Sequence, residues 1–277
     1  MTTLIIHENG LTYEQSKQIT RSLGTPEKVN NHYRIRVNDY CAKTTQALSQ
    51  KIGIDINPLP AGFNGNNIQL VISDMDSTLI GIECVDEIAD MMNLKPQVAA
   101  ITEAAMRGEC DFESSLTQRV ALLEGLNTQA LQTVFDERLF LNPGAEVWLQ
   151  GLKDQHIAFA LVSGGFTFFT ERLQKQLNID FTLANVLEEN NDLLTGKVLG
   201  NIVGAEAKAA FLKQLCEKLD ITLDQTIAIG DGANDLLMMK EAGLSIAYHA
   251  KPAVQKQADV SINFGGLDKV LDFIAGD

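Results

Sequence analysis

Apolar residues in this chain gather into short runs that stop abruptly at polar residues or glycine. From residue 68 onward, IQLVIS (68–73), IAFALVS (157–163), TIAIG (226–230), LSIAY (244–248) and VSIN (260–263) read as buried β-strands. Between them apolar side chains recur at helical spacing, as in Trp148, Leu149 and Leu152, or Phe211, Leu215 and Leu219. Strands alternating with helices predict a parallel sheet covered on both faces. Ligands bind such sheets at the carboxyl ends of the strands. Asp74, Ser163 and Asp231 fall at or just past three of those ends.

Residues 84–140 break the alternation. Val85, Ile88, Ala89 and Met92 make one helical stripe, and Leu116, Val120 and Leu123 make another, with no convincing strand between. The pattern predicts a helical insertion after the first strand, lying over the strand ends as a lid. Upstream, TLIIH and HYRIRV read as strands, and stretches near 13–23 and 40–51 as helices. NPLPAGFNGNN (57–67) reads as a linker. The expected organisation is therefore a small α+β module over 1–66 and an α/β domain over 67–277.

Composition narrows the partners. The 277 residues are 45% hydrophobic, enough for one large domain and a smaller one. A net charge of −14 argues against a nucleic-acid backbone as the main partner. A small anionic substrate stays open, because a metal and local cations can invert the field at one site. Cys41, Cys84, Cys110 and Cys216 are scattered without metal spacing, as reduced thiols of a cytoplasmic protein would be. No signal peptide is read at the start, and no apolar run approaches the ~20 residues of a membrane span.

Four short motifs carry candidate chemistry. In VISDMDST, Asp74 and Asp76 leave a strand end, where one carboxylate can serve as nucleophile and the other as proton donor. Taken alone, the same residues also suit a turn or helix cap. In IGDGAND, Asp231 and Asp235 offer carboxylate oxygens to a hard cation such as Mg²⁺, or simply cap a turn. VSGG brings the Ser163 hydroxyl and the exposed N–H groups around Gly164, which suit an anion as well as an ordinary strand-to-helix turn. Lys208 can offset phosphate charge or be a solvated helix lysine. Together the four supply complementary parts of one phosphoryl-transfer site.

DMDST, SGG, the lone lysine and GDGAND, in that order, resemble the four motifs of the haloacid dehalogenase superfamily of phosphatases. GIECVDEIAD, EAAMRGECDFESSLTQRVALL and VSGGFTFFTERL extend the likeness to its phosphoserine phosphatase branch, over about 68–275. The resemblance implies a Rossmann-like core with a helical cap inserted at about 84–140. It implies Asp74 as nucleophile and Asp76 as proton donor. Mg²⁺ would be held by Asp74, the Asp76 carbonyl and Asp231, with Asp235 supporting. Ser163, Gly164 and Lys208 would hold phosphate, with Asn234 nearby. Glu83 would meet a substrate amine and Arg119 its carboxylate, with Met106 and Phe112 closing over it. The implied reaction is hydrolysis of O-phosphoserine to serine and phosphate, the last step of serine biosynthesis.

Three rivals rank below this reading. One is a phosphotransferase of the same superfamily acting on a related phosphorylated amino acid or alcohol. Another is a receiver-type signalling module, against which Asp76 and the helical insertion count. The third is an idle amino-acid-binding protein. His7, His32, His156 and His249 show no paired spacing and read as structural or surface residues, and the methionine pairs 91–92 and 238–239 as helix packing.

Overall fold

The computed structural model describes residues 1–106 and 109–274. The chain begins with β1 (Thr2–Ile6), α1 (Tyr13–Ser22), β2 (Glu27–Val29), β3 (His32–Val37), α2 (Ala42–Ile52) and β4 (Ile56–Pro58). These strands form an antiparallel sheet in the order β2-β3-β1-β4. Period-two alternation in β1 sends Leu4 and Ile6 into a small core with Ile19, Ile35 and Leu48, while Ile5 points into the main core. The expected linker is shorter than its composition predicts, because Asn57 and Pro58 complete β4 opposite Ile5 and Leu4. An edge strand tolerates a proline that a central one would reject.

The remaining chain forms β5 (Leu70–Ser73), α3 (Cys84–Asp90), α4 (Lys95–Met106), α5 (Phe112–Ala121), α6 (Gln129–Glu137), α7 (Ala145–Asp154), β6 (Ala158–Phe166) and α8 (Thr167–Leu177). It continues with β7 (Phe181–Asn190), β8 (Leu193–Leu199), α9 (Ala205–Leu219), β9 (Thr226–Gly230), α10 (Leu236–Glu241) and β10 (Leu244–Tyr248). α11 (Pro252–Gln255), β11 (Val260–Ile262) and α12 (Leu271–Ile274) follow. The second sheet runs β11-β10-β9-β5-β6-β7-β8, parallel throughout except for the β7–β8 pair. β5 is buried on both faces: Val71 joins Trp148 and Phe159 on one side, and Leu70 and Ile72 join Leu212, Met238 and Met239 on the other. Strand order departs in both directions from β5, a topological switch point that opens a crevice at its carboxyl end.

Helices α3 to α6 occupy the insertion that the sequence predicts, and Val85, Ile88 and Ala89 are buried as their stripe requires. Met92 lies beyond the end of α3, in the turn that follows. The antiparallel hairpin β7–β8 is an addition to the expected parallel sheet. Its two-residue turn, Asn191–Asp192, has positive φ at both positions (51° and 63°), a conformation that asparagine and aspartate tolerate. The hairpin braces the insertion: Gly125 N–H donates to Leu194 O, and Thr128 N–H donates to Asp192 O, each at 2.8 Å.

The two sheets are joined by polar contacts. Asp55 accepts the backbone N–H groups of Asn263, Phe264 and Gly265 at 2.8, 2.9 and 2.8 Å. Asn57 exchanges two hydrogen bonds with the backbone of Ser261. His7 bonds Asp272 at 2.9 Å, so this histidine is structural, as its isolated spacing indicates.

Candidate active site

The crevice beyond β5 widens into a cavity of about 770 Å³ between the sheet and the helical insertion. Asp74 and Asp76 line it from the β5 end, and Asp231 and Asn234 from the β9 end. Gly164 approaches from β6, and Glu83, Phe112 and Arg119 from the insertion. The Asp74–Thr78 loop folds back on itself, with Leu79 and Ile80 N–H bonding Met75 O, and Ser77 takes a left-handed φ of 57°.

Three carboxylates converge at the floor of this cavity. Asp74, Asp231 and Asp235 each place an oxygen within 4.8 Å of the others. Lys208, wholly buried on α9, pairs with Asp74 and, at 2.8 Å, with Asp235 Oδ1. The other oxygen of Asp235 accepts Gly232 N–H at 3.1 Å. Both Asp235 oxygens are thus engaged by the protein, which suits a supporting role more than direct ligation. Burial, then the charge of Asp235, pushes the Asp74 carboxyl well above its ordinary range, and Lys208 only partly opposes this. The same two causes raise Asp231 to about 6, against the pull of Lys251 and Lys208. An all-oxygen donor set carrying more negative charge than one lysine offsets fits a hard divalent cation.

Asp76 has different surroundings. Its Oδ1 accepts Cys84 N–H at 2.7 Å, and its Oδ2 accepts the Ser163 hydroxyl at 3.1 Å. Burial raises this carboxyl, while the Cys84 and Ser163 donors hold it down. A Cβ at position 165 would sit 2.8 Å from Asp76 Oδ2, which accounts for glycine there. Glu83 keeps solvent access through the cavity and accepts Ser77 Oγ at 2.6 Å. Desolvation, followed by the charge of Asp76, pushes it up to about 7. Burial lowers the Arg119 guanidinium, with Asp86 and Glu83 acting in the opposite direction.

Residues 71–240 match the family described as haloacid dehalogenase-like hydrolase. The chain belongs to that family. A curated phosphoserine phosphatase of Polaromonas sp. (strain JS666) is 52% identical over 227 residues, spanning 80% of this chain and 96% of the relative. A crystal structure of a probable phosphoserine phosphatase from Vibrio cholerae aligns with TM-score 0.85 at 34% identity, covering 99% of this chain and 86% of that one. A phospho-aspartyl intermediate analogue of phosphoserine phosphatase aligns with TM-score 0.71 at 37% identity, covering 75% and 99%.

In this haloacid dehalogenase-like hydrolase, Asp74, Asp76, Glu83, Phe112, Arg119, Gly164, Asp231 and Asn234 all line the one cavity. Ser163, Lys208 and Asp235 lie beneath its surface, each with no solvent exposure. The Ser163 hydroxyl, expected to hold phosphate, donates to Asp76 Oδ2. The Met106 side chain, expected to help close the insertion, lies outside the described residues. The sequence motifs miss three further residues. Asp86 lines the cavity one helical turn beyond Glu83, a spacing that could have flagged it. Lys251, in the loop after β10, is another residue at a strand end. Buried Asn185 gives no sequence signal, because its strand is not evident from the apolar pattern.

Proposed function

We propose that this protein hydrolyses O-phosphoserine to serine and inorganic phosphate through an aspartyl-phosphate on Asp74. The observation that carries the reading is the placement of Asp74 and Asp76 in one cavity with Glu83 and Arg119 above them. An Asp74 oxygen attacks phosphorus as the bond to the serine oxygen breaks. Asp76, whose carboxyl burial raises, gives its proton to that oxygen. The resulting Asp76 carboxylate then takes a proton from water, whose oxygen displaces Asp74 from phosphorus and releases phosphate. Both aspartates return to their starting states.

Glu83 complements the substrate ammonium and Arg119 its carboxylate, a pairing made selective by the planar guanidinium fork. Backbone N–H groups around Gly164, together with Lys208 and Asn234, offset charge on the phosphoryl oxygens. Mg²⁺ suits the oxygen cluster of Asp74, Asp231 and Asp235. Asp74, Asp231 and the Asp76 carbonyl would hold it, with Asp235 supporting, and it would add Lewis-acid stabilisation of phosphoryl charge. The name of the Polaromonas relative and the phospho-aspartyl analogue support the substrate and the covalent step.

The same reading places the protein in the cytoplasm, in serine biosynthesis. Its four free cysteines agree with a reducing compartment, and no helix among the described residues is long and apolar enough to cross a membrane. We also infer a domain division at 66/67, with the insertion at about 84–140 acting as a cap, because residues 1–58 have a sheet and an apolar cluster of their own. The deciding experiment is phosphate release from a panel of phosphorylated metabolites with and without Mg²⁺. O-phosphoserine should be preferred; equal rates on esters lacking the amine or carboxylate would refute the substrate assignment.

A further inference from the structure

β6 is irregular where it meets the cavity. Its pairing with β7 jumps from Val162↔Leu183 to Phe166↔Asn185, so Ser163, Gly164 and Gly165 bulge out of the ladder. Two consecutive glycines there leave the backbone unusually free to rotate. Gly165 cannot acquire a stiffening side chain, since its Cβ would meet Asp76 and Ser163. Order in the bulge must therefore come from another residue.

Asn185 supplies it. Its side chain is 1% exposed; Nδ2 donates to Gly164 O at 2.9 Å, and Oδ1 accepts Val203 N–H at 2.8 Å. The peptide unit that carries Gly164 O also carries Gly165 N–H, and a trans peptide is planar, so holding one end aims the other. Gly165 N–H donates to Ser163 Oγ at 2.8 Å. With that N–H bonded to Oγ, the Ser163 hydroxyl donates onward to Asp76 Oδ2 at 3.1 Å. We propose that Asn185 is a positioning residue for the reaction: it locks the 164–165 peptide plane, and through it aims the Ser163 hydroxyl that orients Asp76. The Val203 bond secures Asn185 itself to the segment leading into α9, so that both halves of the amide are used. A side-chain amide supplies this donor and acceptor together, on two separate atoms of one short planar group.

The proposal rests on Asp76 as the proton-transfer group. It is tested with Asn185→Ala, Ser163→Ala and the double variant, assayed on O-phosphoserine and p-nitrophenyl phosphate with thermal unfolding on the same samples. Asn185→Ala should lower kcat about tenfold or more, equivalent to at least ~1.4 kcal/mol, with KM within about twofold. In the Ser163→Ala background it should cost less than about twofold, because the hydroxyl it aims is gone. An equal loss in both backgrounds would mean that Asn185 acts elsewhere and would overturn the proposal. Should Asn185→Ala fail to fold, Asn185→Asp keeps the volume and the Val203 acceptor but sets an oxygen against Gly164 O. It should lose kcat similarly, and full activity in it would equally overturn the proposal. The aryl phosphate separates this outcome from the substrate assignment: a wild type inactive on O-phosphoserine refutes the substrate, while the cycle on the aryl ester still reads Asn185. Full activity in Asp76→Asn would refute the mechanism on which the proposal rests.

Discussion

Lys208 and Asp235 form an ion pair with both side chains wholly buried, Nζ lying 2.8 Å from Oδ1. Burial alone would lower the lysine, but Asp235 and then Asp74 outweigh it and raise its pKa. The ammonium is therefore a fixed charge across the working pH range.

Replacing it should damage both stability and turnover. A buried ion pair contributes little net stability when intact, yet losing one partner costs roughly 3–5 kcal/mol because the other charge stays buried. Lys208→Met nearly preserves volume and strands Asp74 and Asp235. Urea unfolding at pH 7 should show a loss of that order, and phosphate release should fall to near background. Adding Asp235→Asn should recover part of that stability, since Asp74 stays unpaired, without recovering turnover. A single variant as stable and active as wild type would exclude the lysine from both roles.

Asp74→Asn separates chemistry from fold. The change removes an anion from a crowded cluster, and Lys208 keeps Asp235 as its partner. Thermal unfolding should shift by only a few degrees, while turnover should drop at least about 10⁴-fold, as for loss of a covalent nucleophile. Residual turnover near wild type would exclude the aspartyl-phosphate route.

Glu83 should introduce a pH limb specific to amine-bearing substrates. Its carboxyl is raised to about 7, so it is protonated and uncharged below that pH and attracts an ammonium only above it. On O-phosphoserine, kcat/KM should therefore fall as pH drops through about 7. An aryl phosphate without an amine should lack this limb, and Glu83→Gln should abolish it for O-phosphoserine. Identical acid limbs in wild type and variant would assign the titration to another group.

Cation dependence follows from the donor set. Chelation should abolish turnover and Mg²⁺ should restore it. Ca²⁺ should restore little, because it favours more ligands at longer distance. The test is phosphate release after metal removal verified by elemental analysis; undiminished activity without metal would rule out the assigned cation role.

The sheet and most of the site could be read from sequence for a physical reason. Strands buried on both faces, such as β5 and β9, must be continuous apolar runs, and carboxylates at their ends stand out against that background. β7 and β8 escaped because β8 forms the sheet edge beside β7 and both carry half-exposed, mixed side chains. Asn185 was lost with its strand. Ser163 was recognised as a site residue, but its hydrogen bond to Asp76 was not, since that contact depends on a bulge no local pattern encodes. Asn57 and Pro58 have a linker's composition, yet the edge of an antiparallel sheet accommodates them.

The Asp55 clamp has a consequence for the order of assembly. Its three backbone partners lie more than 200 residues later in the chain. During synthesis the first sheet emerges early, with Asp55, His7 and the outward face of Ile5 still waiting for their partners. Contacts of such sequence separation form late and slowly. The final seating of the N-terminal sheet is therefore coupled to arrival of the last strand, so a nascent chain halted before residue 260 would hold its opening segment folded at most locally and undocked.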